Sequence, residues 1–190
     1  METLTYVILA LILIAFIVTR IVRPRPTRSG TVITNPVLGA LNLEGLWVED
    51  TIEEDLEILS PYFSEVRRSN DAPPLCDVLL LYGEINSAGA LQNSPKPAHE
   101  IIRAAGASMV VIALNNPVEN YSAIPEDSFG SVARMMTIDR RGRRFARFLA
   151  RLFAQMKDKG ITMQRAWVNL APQHPRAVHD DLPAAFCVFR

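Results

Sequence analysis

The N-terminal end of the chain carries a long apolar stretch. Residues 4–18 are apolar apart from Thr5, and residues 21–22 extend the stretch past Arg20. A helix needs about 20 apolar residues to cross a bilayer core of about 30 Å, and an arginine near its end can reach the lipid headgroups. The stretch is apolar on every side, which disfavours a helix packed on a soluble core. We therefore predict a transmembrane helix over residues 4–22.

The flanks of this segment predict a retained anchor and its orientation. A cleaved signal peptide, the alternative, would carry positive charge before the apolar run and a small-residue cleavage site after it. Residues 1–3 contain no Lys or Arg, whereas four arginines follow the run: Arg20, Arg23, Arg25 and Arg28. Because Lys and Arg are enriched on the cytoplasmic side, we predict a single-pass signal-anchor with the N-terminus outside and the rest of the chain in the cytoplasm.

Beyond residue 28, shorter apolar segments alternate with polar ones, as in a folded domain. Gly and Pro residues punctuate residues 29–45, which we interpret as a linker. The remaining residues, 46–190, are enough for one domain with a hydrophobic core. The sequence therefore predicts three parts: an anchor with its basic flank over 1–28, the linker, and a cytoplasmic domain.

Strands are predicted at short apolar runs that end in turn residues. The runs at 78–82 and 109–114 are continuous, which is typical of strands buried on both faces of a parallel sheet. Four further segments have weaker strand patterns, at 62–67, 135–138, 161–170 and 184–189. We also expect both tryptophans, Trp47 and Trp167, to lie in the core.

Helices are predicted from apolar stripes and from the residues at their ends. Thr51 and Glu54 have the spacing of a capping box, so one helix is expected to begin at Thr51. A second is expected over 97–105, because proline favours the first turn of a helix and Gly106 is suited to end it. Strand, helix and strand in succession over 78–114 form a βαβ unit. The alternation predicts an α/β domain, a three-layer (Rossmann-like) sandwich with a mainly parallel sheet.

The charges are balanced over the chain but segregated along it. There are 20 basic and 20 acidic residues, so the net charge does not attract nucleic acid. An acidic block contains no Lys or Arg: Glu44, Glu49, Asp50, Glu53, Glu54, Asp55 and Glu57. A basic block lies far from it in the sequence: Arg140, Arg141, Arg143, Arg144, Arg147 and Arg151. Such blocks either face each other in the fold or each contact a partner.

The basic block coincides with a long predicted amphipathic helix, from Asp139 as its N-cap to about Lys159. Four arginines have the spacing of one helical face: Arg140, Arg144, Arg147 and Arg151. This face would contact anionic lipid, contact nucleic acid, or simply be the solvent side of a helix packed on the sheet. We favour the last interpretation and keep membrane or partner contact as the functional one.

Polar residues follow the predicted strands, where ligands bind in open α/β sheets. The ligand-binding candidates are Glu84, Asn86, Ser87, Asn115, Asn116, Asn120 and His174. Glu84 has the chemistry of a base or of a ribose-binding group, and the asparagines are able to orient a polar ligand. The alternative is that they are ordinary loop residues, since Asn, Ser and Glu are common in turns.

The sequence contains no recognisable catalytic signature. A phosphate-binding loop, a dinucleotide fingerprint and a nucleophile elbow are all missing. The histidines are scattered, at His99, His174 and His179, too sparsely for a metal site. Cys76 and Cys187 lie beside apolar runs, where a reduced cysteine behaves as a small hydrophobe, as expected in the cytoplasm. We predict no cofactor and no metal.

The function that fits these features is a membrane-anchored module that binds a ligand or another protein. Its expected partners are membrane lipid through residues 4–22 and a small polar ligand or a protein; nucleic acid is not expected. The alternative is a membrane-anchored enzyme, a hydrolase or transferase for a nucleotide-like or acyl substrate, that uses Glu84. A further possibility is a structural tether that docks a partner through its charged helices.

Overall fold

Six strands form one sheet in the residues that the computed structural model describes, 36–125, 129, 132–170 and 184–188. The strands are β1 (Val37–Asn42), β2 (Glu65–Ser69), β3 (Val78–Tyr82), β4 (Met109–Ile112), β5 (Ala133–Asp139) and β6 (Ala184–Val188). Their order is β2-β1-β3-β4-β5-β6. The first five are parallel and β6 is antiparallel to β5, so the prediction of an α/β fold with a mainly parallel sheet is confirmed.

Five α-helices flank this sheet within the described ranges: α1 (Glu49–Leu59), α2 (Ala98–Ala105), α3 (Val118–Ser122), α4 (Arg144–Lys159) and α5 (Met163–Leu170). One apolar cluster joins α1, α4 and α5 to one face of the sheet, and a second joins α2 and α3 to the other. Strand β3 shows why: Leu80 belongs to the first cluster, and Leu79 and Leu81 to the second. A strand covered on both faces is apolar at every position, as the sequence indicated.

The predicted anchor and its basic flank lie outside the described residues. Within the part of the chain that the structure describes, no helix is both long enough and apolar enough to cross a bilayer. The prediction of a transmembrane helix over residues 4–22 therefore stays a prediction.

The β3–α2–β4 unit matches its prediction closely. Strands β3 and β4 are adjacent and parallel, and α2 lies between them in sequence. Pro97 is the N-cap of α2, and Gly106 follows its last turn with a left-handed φ of 65°. Most L-residues avoid that conformation, whereas glycine adopts it without strain. This unit was predictable because each boundary is marked by a residue with a strong local preference.

Strand β1 corrects the predicted linker over 29–45. Residues 37–42 of that segment form a strand between β2 and β3, so they belong to the domain. The helix that follows, α1, begins at Glu49 after a 3₁₀ turn (Gly45–Val48), not at Thr51, and no side chain caps it. The short strand predicted over 62–67 lies instead at β2, because residues 60–62 form a second 3₁₀ turn.

The segment 161–170 is a helix, not the predicted strand. Its buried residues are Met163, Ala166 and Leu170, which recur at the spacing of a helical stripe. Trp167 packs edge-on against Phe148 of α4, with ring centroids 5.4 Å apart. In so short a segment, the apolar stripe of a helix resembles the loose apolar–polar alternation of a strand, because the two patterns share several positions.

Helix α4 begins at Arg144 rather than directly after Asp139. Asp139 is the last residue of β5, and its carboxylate accepts a hydrogen bond from the Arg141 amide at 3.1 Å. Arg141 and Gly142 have φ values of 54° and 59°, which form a turn between strand and helix. Arg140 therefore lies before this turn and does not share the helical arginine face that the sequence predicted.

Trp47 is the second tryptophan predicted in the core, and this prediction is wrong. It lies in the 3₁₀ turn after β1 and is largely exposed, while the neighbouring Val48 points inward and is buried. Adjacent side chains of a 3₁₀ turn point in different directions, so Trp47 and Val48 cannot both point into the core.

Gly39 permits a close approach between β1 and the segment before β3. A Cβ atom at position 39 would lie 2.5 Å from the Sγ of Cys76 and 3.0 Å from the Cγ of Pro74. Real Cβ atoms do not approach other atoms so closely, so the strand requires glycine here. Cys76 is a free, buried thiol that fills the space over Gly39.

We expect Gly39→Ala to lower the free energy of unfolding by about 1–3 kcal/mol, as overpacking of a filled core does. Because the two closest contacts are the Sγ of Cys76 at 2.5 Å and its Cβ at 2.9 Å, Cys76→Gly in the same chain should restore part of that loss. Chemical denaturation of the two single variants and the double variant measures this coupling. Strictly additive effects would show that Cys76 is not what restricts position 39.

Candidate functional site

The strand order creates a crevice between the carboxyl ends of β1 and β3. After β1 the chain passes through α1 to β2 on one side, whereas β3 lies on the other side and continues into α2 on the opposite face. The connections therefore diverge at this point. In open α/β sheets, such a reversal of strand order is where ligands bind.

A cleft of about 240 Å³ lies at this position. Its apolar wall comes from the end of β1 and from α2: Leu41, Leu43 and Ile101. Its polar rim comes from the loops after β2 and β3: Asn70, Asp71, Asn93, Ser94 and Lys96. An open depression beside it, lined by Arg68 and Ser69, shares Asn70 and Asp71. Apolar walls with a few polar groups at the rim are the usual composition of a small-molecule site.

Sequence reasoning missed this rim. None of the rim residues is among the ligand-binding candidates that the sequence offers. The Asn, Ser and Pro residues of this rim are common in loops of every kind, so they do not by themselves indicate a binding site. The missing information was that β1 lies between β2 and β3, which brings the two loops together.

Glu44 joins the loops on the other side of the crevice. One of its carboxylate oxygens accepts a hydrogen bond from the Glu84 amide at 2.8 Å, and the other accepts one from Asn93 Nδ2 at 2.6 Å. Backbone amides at helix N-termini and in loop nests bind phosphate in many proteins. Here a carboxylate of the chain itself accepts the hydrogen bond of the Glu84 amide. Glu49 and Asp50 in the first turn of α1 add further negative charge, so a phosphate is disfavoured there.

The candidates that follow β3 lie in a loop beside this crevice. Glu84 is partly exposed, and Ser87 is exposed. The side-chain oxygen of Asn86 accepts hydrogen bonds from the amides of Ala88 and Ala90, at 2.9 and 3.1 Å. Asn86 therefore shapes its own loop, whereas Glu84 and Ser87 present side chains to solvent.

The asparagines that follow β4 contact the same loop, as expected for adjacent parallel strands. Asn116 is 3% exposed, and its oxygen accepts a hydrogen bond from the Ile85 amide at 2.6 Å. Asn120 Nδ2 donates to the Ile85 carbonyl at 2.6 Å. Asn115 is exposed and accepts a hydrogen bond from the Arg140 amide at 2.8 Å. These amides thus hold loops together, and His174 lies outside the described residues.

The carboxyl edge of the sheet also contains a buried ion pair between Asp55 and Arg140. Asp55 is 1% exposed, and Arg140 Nη2 lies 2.7 and 2.9 Å from its two carboxylate oxygens. The Tyr82 hydroxyl donates to the same carboxylate at 2.9 Å, and Arg140 Nη1 donates to the Ala113 carbonyl at 2.8 Å. The guanidinium also lies over the ring of Phe145, 4.6 Å from its centroid. Burial raises the pKa of Asp55, and Arg140 and Tyr82 oppose that rise.

This pair shows that part of the acidic block faces the basic block, which is one of the two alternatives that the sequence left open. A second, exposed contact joins Glu54 to Arg143 at 2.9 Å and lowers the pKa of Glu54. The remaining arginines of the predicted face, Arg144, Arg147 and Arg151, lie on α4 away from its buried side. Arg144 and Arg147 are exposed and Arg151 is half-buried. Their contact with a membrane or partner stays a prediction.

Thiolate chemistry is disfavoured at both cysteines. Burial raises the pKa of Cys76 to about 11, and burial also raises the pKa of Cys187. The thiolate is the nucleophilic form, so at neutral pH both side chains stay protonated and inert. Among the described residues, no three His, Cys, Asp or Glu side chains are grouped as metal ligands.

Comparison of the chain with protein-family models, with curated proteins and with solved structures found no match.

Removing the carboxylate of Asp55 should destabilise the domain strongly. In Asp55→Ala the Arg140 guanidinium stays buried without its counter-charge, which typically costs about 3–5 kcal/mol. Chemical denaturation measures the loss, and Glu54→Ala is the matched control. Its ion pair with Arg143 is exposed, so it should change stability little. Equal effects of the two substitutions would contradict the assignment of Asp55 as the main stabilising carboxylate.

Proposed function

We propose that this chain is a single-pass membrane-anchored protein whose cytoplasmic domain, a three-layer Rossmann-like sandwich, binds a small polar ligand. The observation that carries the proposal is the cleft between the carboxyl ends of β1 and β3. It combines apolar walls with polar groups from two separate loops. Such convergence at a reversal of strand order favours a ligand site over an incidental surface depression.

The size and charge of the cleft restrict the ligand class. Its volume of about 240 Å³ is below the roughly 300–1,000 Å³ of sites for drug-sized ligands. The carboxylate of Asp71 and the amine of Lys96 lie on its rim, and the Glu44 carboxylate binds the side chain of the rim residue Asn93. A small molecule with amine, amide or hydroxyl groups fits this rim, since Asp71 and Asn93 accept hydrogen bonds and Lys96 donates them. A nucleotide is disfavoured by both size and charge.

The enzyme alternative draws less support than the binding module. Glu84 was its proposed acid or base, and the contacts described for this residue are made by its backbone: its amide donates to Glu44 and its carbonyl accepts from the Gln92 amide. General acid–base catalysis needs a group placed within hydrogen-bond reach of the reacting proton. In the described part of the chain, the polar groups that converge lie around the cleft. They are Asn, Asp, Ser and Lys side chains, which suit the binding of a polar ligand.

The direction of β1 supports an arrangement in which the cleft faces away from the membrane. The chain enters the described domain at Pro36, before the amino end of β1, whereas the cleft lies beyond its carboxyl end. Six residues of strand span about 20 Å. With an anchor attached at the amino edge, a ligand reaches the cleft from the cytoplasm.

The cleft should bind its ligand through Asp71 and Asn93. We expect a thermal-shift screen of the full chain in neutral detergent to find hits among small amines, amides and polyols. A ligand at 100 times its dissociation constant stabilises by about 2.7 kcal/mol. Asp71→Asn and Asn93→Leu should weaken such a hit at least tenfold, whereas Glu119→Gln, on the exposed side of α3, should not.

Two results of that screen would contradict the proposal. Stabilisation by nucleoside phosphates alone would contradict the ligand class. A hit that resists Asp71→Asn and is lost with Glu84→Ala would move the site to the loop after β3, and turnover of that hit would establish the enzyme alternative.

The full chain should stay in the membrane fraction after carbonate and high-salt extraction, because residues 4–22 are long enough to span a bilayer. A reporter fused after Arg190 should be active only if it functions in the cytoplasm. A variant with two arginines in the apolar run, Leu11→Arg and Ile14→Arg, is the control and should be released. Carbonate release of the unaltered chain, or a mature N-terminus beyond residue 22, would contradict the anchor.

A further inference from the structure

The turn after β1 presents two adjacent apolar side chains to solvent. Leu46 is 88% exposed and Trp47 is 64% exposed. We call this pair the Leu46–Trp47 knob. Single exposed apolar residues are common, but an exposed tryptophan next to an exposed leucine in one short turn is less so. Trp is also among the residues that contribute most to protein–protein binding.

The turn holds the knob in one conformation. Asn42, which is 2% exposed, donates from Nδ2 to the Gly45 carbonyl at 3.0 Å and to a Glu49 carboxylate oxygen at 2.7 Å. Its oxygen accepts a hydrogen bond from the Glu44 amide at 2.9 Å. Gly45 has a φ of 76°, which glycine adopts without strain. Because the backbone of this turn is already ordered, burial of the knob by a partner costs the turn little backbone entropy.

Acidic residues flank the knob along the chain. Glu44 precedes it, and Glu49, Asp50 and Glu53 follow it on α1. Among the described residues, Arg68 of β2 pairs with Glu49 and also lies 3.7 Å from Glu53. Within the described part of the chain, four carboxylates and this guanidinium therefore leave the segment around the knob net negative. Charge complementarity therefore selects a positively charged partner.

We propose that the Leu46–Trp47 knob is a docking site for a basic amphipathic helix of another protein. The apolar face of such a helix covers the two side chains, and its Lys or Arg residues meet the carboxylates around them. The proposal does not depend on the ligand of the cleft, because the knob residues do not line it.

The negative charge around the knob argues against two other occupants, the membrane surface and a second copy of this chain. The cytoplasmic leaflet is anionic and is repelled by the carboxylates that flank the knob. A second copy of this chain, related by twofold symmetry, would place the same acidic surface against itself. A basic partner is the occupant that satisfies both the apolar and the acidic features of this surface.

Trp47 itself reports the interaction. The full chain is placed in nanodiscs of phosphatidylcholine and titrated with a synthetic amphipathic helical peptide made of leucine and lysine, with empty nanodiscs subtracted. We expect a saturable blue shift of tryptophan emission that weakens as salt is raised. Trp167 packs on Phe148 and should not contribute, so Trp47→Phe should abolish the optical signal.

Matched variants show whether the knob and its charges are responsible, with peptide affinity measured by fluorescence anisotropy of a labelled peptide. Leu46→Ala and Trp47→Ala should each weaken binding at least tenfold. The double variant Asp50→Asn, Glu53→Gln should weaken it severalfold. Val168→Ala, which removes an exposed apolar side chain of α5, should leave affinity unchanged.

Each alternative occupant has its own outcome, and each would overturn the proposal. Equal binding of a peptide made of leucine and glutamate would contradict the charge argument. A Trp47 emission that is already blue-shifted without peptide would mean that the chain itself covers the knob. A blue shift caused by phosphatidylserine nanodiscs alone would assign the knob to the membrane. Self-association that is lost in Trp47→Ala would assign it to a second copy.

Discussion

The ion pair between Asp55 and Arg140 connects the carboxyl edge of the sheet to one of its flanking helices. Asp55 belongs to α1, and Arg140 follows β5 and reaches the carbonyl of Ala113 after β4. The Tyr82 hydroxyl at the end of β3 completes the contact. A buried charge is costly without its partner, so each of these elements is stable here only when the others are in place. The loops that follow the strands therefore start from well-defined positions.

Charge is distributed unevenly along this edge. Near β5 and α4 the arginines dominate, and the pairs Asp55–Arg140 and Glu54–Arg143 neutralise part of them. Near β1 the carboxylates dominate. The Glu44 carboxylate accepts hydrogen bonds from the Glu84 backbone amide and from the Asn93 side chain, two donors that an external anion would otherwise bind. The cleft and the Leu46–Trp47 knob both lie on this acidic side. The same charge thus disfavours phosphate ligands in the cleft and favours a basic partner at the knob.

The cleft and the knob also share their support. Both depend on the connection from β1 to α1, where Asn42 holds the turn from inside and Val48 anchors it in the core. Leu41 and Leu43 flank Asn42 in sequence and line the cleft. One strand end therefore supports both the proposed ligand cleft and the proposed docking surface.

Local sequence patterns determined the elements whose boundaries carry strong preferences. The apolar run of β3 specified a strand covered on both faces, and Gly106 specified the end of α2. The sequence also showed the acidic and basic blocks, but it left open whether they face each other or each contact a partner. Two segments with weak patterns were predicted wrongly. Helix α5 is too short for its apolar stripe to be distinguished from the alternation of a strand. Strand β1 was assigned to a linker because it follows Pro36 and contains Gly39.

Only the tertiary structure decided which loops meet. Asp55 and Arg140 are 85 positions apart in sequence, and no local preference of either residue specifies the contact. The cleft likewise depends on β1 lying between β2 and β3, an order set by long-range packing of the whole sheet. Asn70 and Asn93 have the ordinary composition of turns, and they become candidate ligand contacts because that order brings them together. The sequence by itself therefore determined the elements and the segregation of charge, whereas the strand order determined the site.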